Sequence, residues 1–548
     1  MPVSYGDGEA HASQSASVSR LLCAAKHQLL GTGFGGWITI TLDEVDALEH
    51  DALDVLSMIR SAKNAFALVN QVPPDVLTLI PDYWEDSDRD QNLIKLTHVC
   101  RGWREIFTTR SSLWTRLDCM NIDKTRIYIE RSRPLPLTVH LNGDESTDHW
   151  EEAFFQVVPH IGRLKTLSVS AFSMEDSPLL SAFFKHFSSR LPLLDKLTIQ
   201  IFGEHPSLPG ELFDGDLSSL RELCLGGVLT SLPWKDMSRL TTFQLCDIPK
   251  DKIIMTQLLD FFESAPRIRR IHLHNSIPGS SNAPAERVVS LPHLENLKII
   301  AQPAHSILLN HLSIPVGASL NLEFSFSGKE SPIPSYLPKS SDGLLNLSSI
   351  SAVNLCFGPS RRFLRLNGPS GELHILGNWT RGQDGANVGA MSFLRSIGRF
   401  DLSRIRWLAI QCYRSEPVTT GSIVGRAVYR ALSSMQNLHS LTLAQCRNLI
   451  FISSLNPDKS LSKVILCPNL QEIILYVKDP GELHVDELLK MAEERASRGA
   501  KLSAITIVNT GTLALTRDVF QLRKYVSRVE CKFDDAPPEW DTLPVQVM

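Results

Sequence analysis

The chain has 548 residues, of which 43% are hydrophobic and 21% charged, and its formal net charge is −4. This is the composition of a globular protein, and so small a charge gives no reason to expect nucleic acid, a membrane surface or an acidic ligand as partner. At roughly 150 residues per domain the length allows three or four domains, or one repeat array, which has no such limit.

Residues 1–41 open with MPVSYGDGEAHASQSASVSR, a small, polar stretch that buries too little to offset the entropy of ordering it, so disorder is expected there. A short apolar patch from Leu21 to Ala25 is interrupted by Lys26, His27 and Gln28 before it reaches the length of a signal-peptide core or a membrane span. GTGFGG, Gly31 to Gly36, matches GxGxxG. However, helix-like LLCAAKHQLL precedes it and strand-like WITIT comes after, the reverse of the order that sets a pyrophosphate on a helix N-terminus, so it reads as a loop. None of the ten cysteines forms a CxxC pair or has a histidine at zinc-finger spacing; they read as reduced, mostly buried thiols, with no metal or cofactor expected. The expected compartment is cytoplasm or nucleus, where the sequons at Asn346 and Asn378 carry no weight.

From 42 to 70, Leu42, Val45, Leu48, Ala52, Val55, Leu56 and Ile59 recur at helical spacing, predicting an amphipathic helix packed on the segment next to it in the chain. In 71–117, VPPDVLTLI starts a helix at about Pro74, because proline suits a first turn; Pro81 then removes an interior hydrogen bond, so this helix should be short or bent. After acidic WEDSDRD, a second helix places Leu93, Leu96, Val99, Cys100, Trp103 and Phe107 at intervals of three and four. A helical element this small must pack on a neighbour or a partner.

The run VPPDVLTLI, a spacer, LTHVCRGWREI and SSLWTRL resembles an F-box, the helical module by which substrate receptors dock on the adaptor subunit of SCF (cullin-RING) ubiquitin ligases. The matching positions include Pro73, Asp75, Val76, Leu77, Ile80, Leu93, Leu96, Val99, Cys100, Trp103, Leu113 and Trp114, with Val72 where leucine is usual and Pro81 where an apolar residue is usual. The resemblance implies that Pro73, Val76, Leu77, Ile80, Leu96, Val99, Cys100, Trp103, Leu113 and Trp114 bind the adaptor and, through it, cullin. The residues themselves leave a second role open for Trp103 and Trp114, as core side chains of the local bundle.

Across 118–535 an apolar-x-x-apolar-x-apolar pattern recurs twelve times: LKTLSV, LDKLTI, LRELCL, LTTFQL, IRRIHL, LENLKI, ISAVNL, IRWLAI, LHSLTL, LQEIIL, LSAITI and VSRVEC. Two steps are nearly doubled, with SLNLEF and FLRLNGPSGELHIL inside them; the Pro/Gly-rich FGPSRRFLRLNGPSGELHILGNW predicts a hairpin-like interruption. Helical stretches such as HWEEAFFQVVPHIG, TQLLDFFESAP, RAVYRALSSM and VDELLKMAEERAS precede strands. The period is the leucine-rich-repeat signature, so the fold class expected is α/β: a short helical F-box followed by an irregular leucine-rich-repeat solenoid with a curved parallel sheet, then a tail at 536–548.

No GxSxG, HExxH, P-loop, EF-hand or kinase set occurs, and Asp534 with Asp535 reads as a solvated turn. His272 and His274 alternate on a strand and face one way, but no third ligand is visible, so solvent-facing histidines are favoured over a metal pair. Residues between the apolar positions should face the open side; Lys196, Arg270, His272, His274, Lys298, Trp407 and Tyr476 are the candidates for target binding, the first half being modestly basic and suited to an acidic segment. Together these readings predict a non-catalytic substrate receptor of an SCF ligase that binds an adaptor and an unknown target protein. The alternative is a repeat scaffold or inhibitor whose helical segment only caps the array.

Overall fold

The structure, a computed structural model, describes residues 20, 41–84, 86–143, 150–172, 191–203, 205–208, 217–229, 237–249, 252–278, 284, 286–301, 308–326, 343–357, 361–369, 371–379, 400–412, 423–444, 449–458, 464–478, 483–509 and 517–533. The expectations for residues 1–19 and 21–40, the GTGFGG segment among them, and for Asp534, Asp535 and the 536–548 tail lie outside the described residues. The chain is α/β and divides into two compact units, Met1–Arg116 with Arg126–Leu135, and Leu117–Thr125 with Pro136–Met548.

The first unit is helical. Its long helix α1 (Leu42–Ala65) starts at a capping box: the Glu44 amide donates to Thr41 Oγ1 at 3.4 Å and the Thr41 amide to the Glu44 carboxylate at 2.8 Å. The predicted packing of this helix is corrected: it buries no residue, and Val45, Leu53, Leu56, Met58 and Ile59 are exposed. Its stripe is interrupted by alanine at 52 and flanked by Asp46, Asp51 and Asp54, carboxylates whose desolvation opposes covering it.

The two prolines shape the next turns as expected. Helix α2 is only Pro74–Leu77, closed by the Thr78 amide on the Pro74 carbonyl at 3.0 Å, and Pro81 sits in the first turn of a separate 3-10 segment, Ile80–Tyr83. The single second helix is also corrected, since the chain forms α3 (Asp86–Thr97) and α4 (Arg101–Thr109) with Cys100 extended between them at φ −158°, ψ 173°. The break has local causes. Thr97 Oγ1 donates to the Ile94 carbonyl at 2.7 Å, Arg104 Nε to the Thr97 carbonyl at 3.0 Å, and the Trp103 amide to Cys100 Sγ at 3.5 Å, so side chains satisfy the groups that a continuous helix would pair. A further helix, α5 (Ile122–Ser132), supplies Tyr128 and Ile129 to the core, beside Leu77, Leu93, Trp103, Phe107, Leu113 and Trp114.

Among the described residues the second unit is built on a seventeen-stranded, mostly parallel sheet. Apart from a two-residue piece at Arg116–Leu117, its strands are β1 (Leu137–Gly143), β2 (Leu164–Phe172), β3 (Lys196–Phe202), β4 (Glu222–Gly226), β5 (Thr242–Cys246), β6 (Arg270–His274), β7 (Asn296–Ala301), β8 (Ser319–Phe326), β9 (Ala352–Phe357), β10 (Arg361–Asn367), β11 (Glu372–Trp379), β12 (Trp407–Cys412), β13 (Ser440–Ala444), β14 (Glu472–Val477), β15 (Ala504–Asn509) and β16 (Arg528–Phe533). All twelve motifs lead into or lie on these strands, and SLNLEF forms β8. Strands β1 to β8 pair in chain order, all parallel, as do β12 to β16. Between them the order reverses: β8 pairs parallel with β11, β11 and β10 and then β10 and β9 pair antiparallel, and β9 pairs parallel with β12. The Pro/Gly-rich interruption is this antiparallel insert.

Register explains the motif. Its second apolar residues stand side by side as Leu167, Leu197, Leu223, Phe243, Ile271 and Leu297, its third as Val169, Ile199, Leu225, Leu245, Leu273 and Ile299, and all are buried. Each contributes on the order of 1.5–3 kcal/mol by burial. Helices cover this side: on α7 (Met255–Ser264), after α6 (Trp150–Phe155), Phe261 and Phe262 lie 4.3 Å and 6.2 Å from the Phe243 ring. Toward the C-terminus come α8 (Ile423–Ser434), α9 (Leu449–Leu455) and α10 (Val485–Ser497), the last carrying a fully buried Arg495 that donates to the carbonyls of Leu466 at 2.8 Å and Cys467 at 2.9 Å. No helix among the described residues is long and apolar enough to cross a membrane.

Candidate functional site

The helical unit separates its candidates into two sets. Leu77, Leu113, Trp103 and Trp114 are buried, so as surface contacts for an adaptor they are corrected to core side chains. Trp114 meets Tyr128 edge-on at 4.8 Å and 84°, lies 4.4 Å under the Arg131 guanidinium, and donates from Nε1 to the Phe107 carbonyl at 2.8 Å; Trp103 donates to Asn70 Oδ1 at 2.5 Å. Both indoles have all their hydrogen-bonding capacity and most of their surface used inside the unit. Of the rest, Ile80, Leu96 and Cys100 are half-buried, whereas Pro73, Val76 and Val99 are exposed.

Sequence reasoning missed part of the surface. Leu79 at 51% and Tyr83 at 87% exposure stand with Val76 at 51%, Val99 at 54% and Ile94 at 38% on α2, the 3-10 turn and α3 or the links next to them. The signal was present in the residues, since Leu79 follows the short helix Pro74–Leu77 and Tyr83 ends the 3-10 turn that holds Pro81, so neither continues the helical spacing. Large apolar side chains left in water mark a docking surface where they form one patch.

The sheet face opposite the helices carries the second set. Lys196, Glu222, Thr242 and Arg270 stand in one row, Cys224, Gln244, His272 and Lys298 in the next, and Cys246 and His274 in a third. Thus Lys196, Arg270, His272, His274 and Lys298 share one region. Trp407 and Tyr476 do not belong to it: β12 lies six strands from β6, about 29 Å along the sheet at ~4.8 Å per strand. Tyr476 packs instead on an apolar cluster of Cys356, Phe363, Leu376 and Ala444, with Ala409. The clue was FLRL, where consecutive Phe363 and Leu364 place an apolar side chain on each face.

The charge of the first region is weaker than its lysines suggest. Lys196 Nζ lies 2.9 Å from the Glu222 carboxylate, and His274 Nδ1 lies 3.2 Å from Asp247 Oδ2. Burial, then Lys298 and His274, lower the pKa of His272 below the ordinary imidazole value, which favours its neutral form. Among the described residues no group of three or more His, Cys, Asp or Glu is arranged to hold a metal ion. Asn346, one of the two sequon asparagines, is fully buried and donates to the carbonyls of Ala318 and Glu372 at 3.2 Å each, which leaves it inaccessible to glycosylation.

No protein-family model matches the chain, and no curated protein matches it. Among solved structures, a crystal structure of a Bacteroides fragilis protein from a structural-genomics programme matches at 10% identity over 72% of this chain and 88% of that one, with a TM-score of 0.19.

Proposed function

We propose that the chain is the non-catalytic substrate-recognition subunit of an SCF ubiquitin ligase: the helical unit docks on the adaptor, and the face of the sheet selects the protein to be ubiquitinated. The sheet is then an irregular leucine-rich-repeat solenoid, each unit too small to hide its own apolar face. One observation carries the docking reading. The helical unit has a filled core of eight large side chains and still presents Val76, Leu79, Tyr83, Ile94 and Val99 to solvent. The F-box resemblance of residues 71–117 supplies the class of partner, and the compartment that suits it is cytoplasm or nucleus.

The magnitudes are adequate. Covering the exposed half of Val76, Leu79 and Val99 is worth about 1 kcal/mol each, and three such contacts account for roughly a hundredfold in affinity. The test is capture of the full-length protein by purified adaptor. Wild type is captured; Leu79→Asp with Val99→Asp abolishes capture while the melting temperature stays within a few degrees, because both positions are solvent-facing. Failure of wild type to bind, or binding by the double variant at wild-type strength, rejects the adaptor reading. For the sheet face, Arg270→Glu with Lys298→Glu lowers recovery of co-purifying target without altering stability, and unchanged recovery removes that region from target recognition.

A further inference from the structure

Strand register brings together two thiols that sequence spacing hides. On β4 and β5, Cys224 stands opposite Gln244, and Gly226 opposite Cys246, so both cysteines occupy the same face of adjacent strands, two residues apart. Gly226 keeps the surroundings of Cys246 uncrowded: a Cβ there would lie 3.5 Å from Cys246 Cβ and 3.3 Å from Gln200 Cγ. Both cysteines are unoxidised and half-buried. Cys224 Sγ accepts a hydrogen bond from Gln200 Nε2 at 3.6 Å.

We propose that Cys224 and Cys246 form a two-thiol binding site for a soft monovalent cation of the Cu(I) class. Thiolate bonds to such ions are about as long as the ~2.3 Å of zinc thiolates, so one ion spans two sulfurs up to about 4.6 Å apart, a reach suited to two cysteine side chains on the same face of adjacent strands. A disulfide fits less well, because diagonal neighbours on adjacent strands lie roughly 7–8 Å apart and a disulfide needs Cα atoms within about 7 Å. The coordination number comes from the surroundings. No group of three or more His, Cys, Asp or Glu is arranged for a metal among the described residues, and His274, the register neighbour of Cys246, is engaged with Asp247. Four-coordinate zinc is therefore excluded from the described geometry, whereas two thiolates suffice for Cu(I), which soft ligands select.

Proton accounting is equally specific. Binding is Cys224–SH plus Cys246–SH plus Cu⁺ giving S–Cu–S⁻ and two released protons.

The experiment uses the full-length protein without oxygen, with Cu(I) delivered from bathocuproine disulfonate and read by the chelator's absorbance. Cys224→Ser and Cys246→Ser each bind one ion fewer than wild type and melt like it in the absence of copper, whereas Cys531→Ser binds as many as wild type. In wild type, the bound ion protects Cys224 and Cys246 together from iodoacetamide, as read by peptide mass spectrometry, a measurement that needs no variant. Stoichiometry unchanged in either of the first two variants, or alkylation of Cys224 and Cys246 unaffected by Cu(I), overturns the proposal.

Discussion

Replacing Trp114 by alanine distinguishes a core residue from a contact residue. The indole is 1% exposed, and removing a buried aromatic of this size costs about 3–5 kcal/mol. Its N–H also satisfies the Phe107 carbonyl near the end of α4, where helical carbonyls lack partners, and a buried acceptor left alone adds about 1–3 kcal/mol. A unit this small has only a few kcal/mol to lose, so Trp114→Ala should unfold it. Trp114→Phe retains the edge contact with Tyr128 and the Arg131 guanidinium above the ring but loses the donor, for about 1–2 kcal/mol. Amide hydrogen exchange read by mass spectrometry reports the unit directly, with peptides of β2 to β6 as internal reference. Peptides covering 74–116 and 126–132 should exchange at least about a hundredfold faster in the alanine variant and about tenfold faster in the phenylalanine variant, at 1.4 kcal/mol per factor of ten. Exchange within threefold of wild type in Trp114→Ala refutes the core assignment.

Three further outcomes depend on buried groups and close backbone contacts. Arg495→Leu leaves the carbonyls of Leu466 and Cys467 without donors and should destabilise the second unit by about 3 kcal/mol in urea denaturation; Arg495→Lys should not rescue it, because one ammonium cannot reproduce the guanidinium fork. Gly227 has φ +63°, and a Cβ there would stand 1.8 Å from the Ile201 carbonyl oxygen, so Gly227→Ala should cost several times more than Gly499→Ala, where φ is +82° but no atom lies within 4 Å; thermal melts compare the two. His272 is held below its ordinary pKa of 6.5, so the folded state binds a proton less readily than the unfolded chain. Its contribution to stability is complete above pH 6.5, falls as pH drops through that value and levels off below the folded pKa. His272→Gln should flatten this part of the stability profile measured by denaturant titration between pH 5 and pH 7.5, and an unchanged slope contradicts the assignment.

The sheet was legible in the sequence because its two periodicities are strict: apolar residues at fixed offsets give each strand a buried side, and parallel pairing in register aligns those offsets into continuous rows. The antiparallel insert was legible through its glycines and prolines. The apolar cluster around Phe363 was not, because it arises from neighbours such as Cys356, Ala444 and Tyr476 that only the reversed strand order brings together. In the helical unit the prolines predicted the short first helix, but the division at Cys100 depends on side chains satisfying backbone groups at three positions, which periodicity does not report. The tryptophans mark the limit of residue type as a guide. An aromatic anchor and an aromatic core residue look alike in a sequence, and Trp103 and Trp114 are placed inside by Asn70, Phe107, Tyr128 and Arg131. The thiol pair shows the same dependence on register, since nothing in the spacing of Cys224 and Cys246 suggests contact.

Hydrogen exchange on the complex with recombinant adaptor, mapped peptide by peptide, tests the docking surface most directly. Slowed exchange should fall on residues 74–99, around Val76, Leu79, Tyr83, Ile94 and Val99, and leave the strands β3 to β7 as they are in the free protein. A footprint on those strands with none on 74–99, or no complex at micromolar concentrations, contradicts the account.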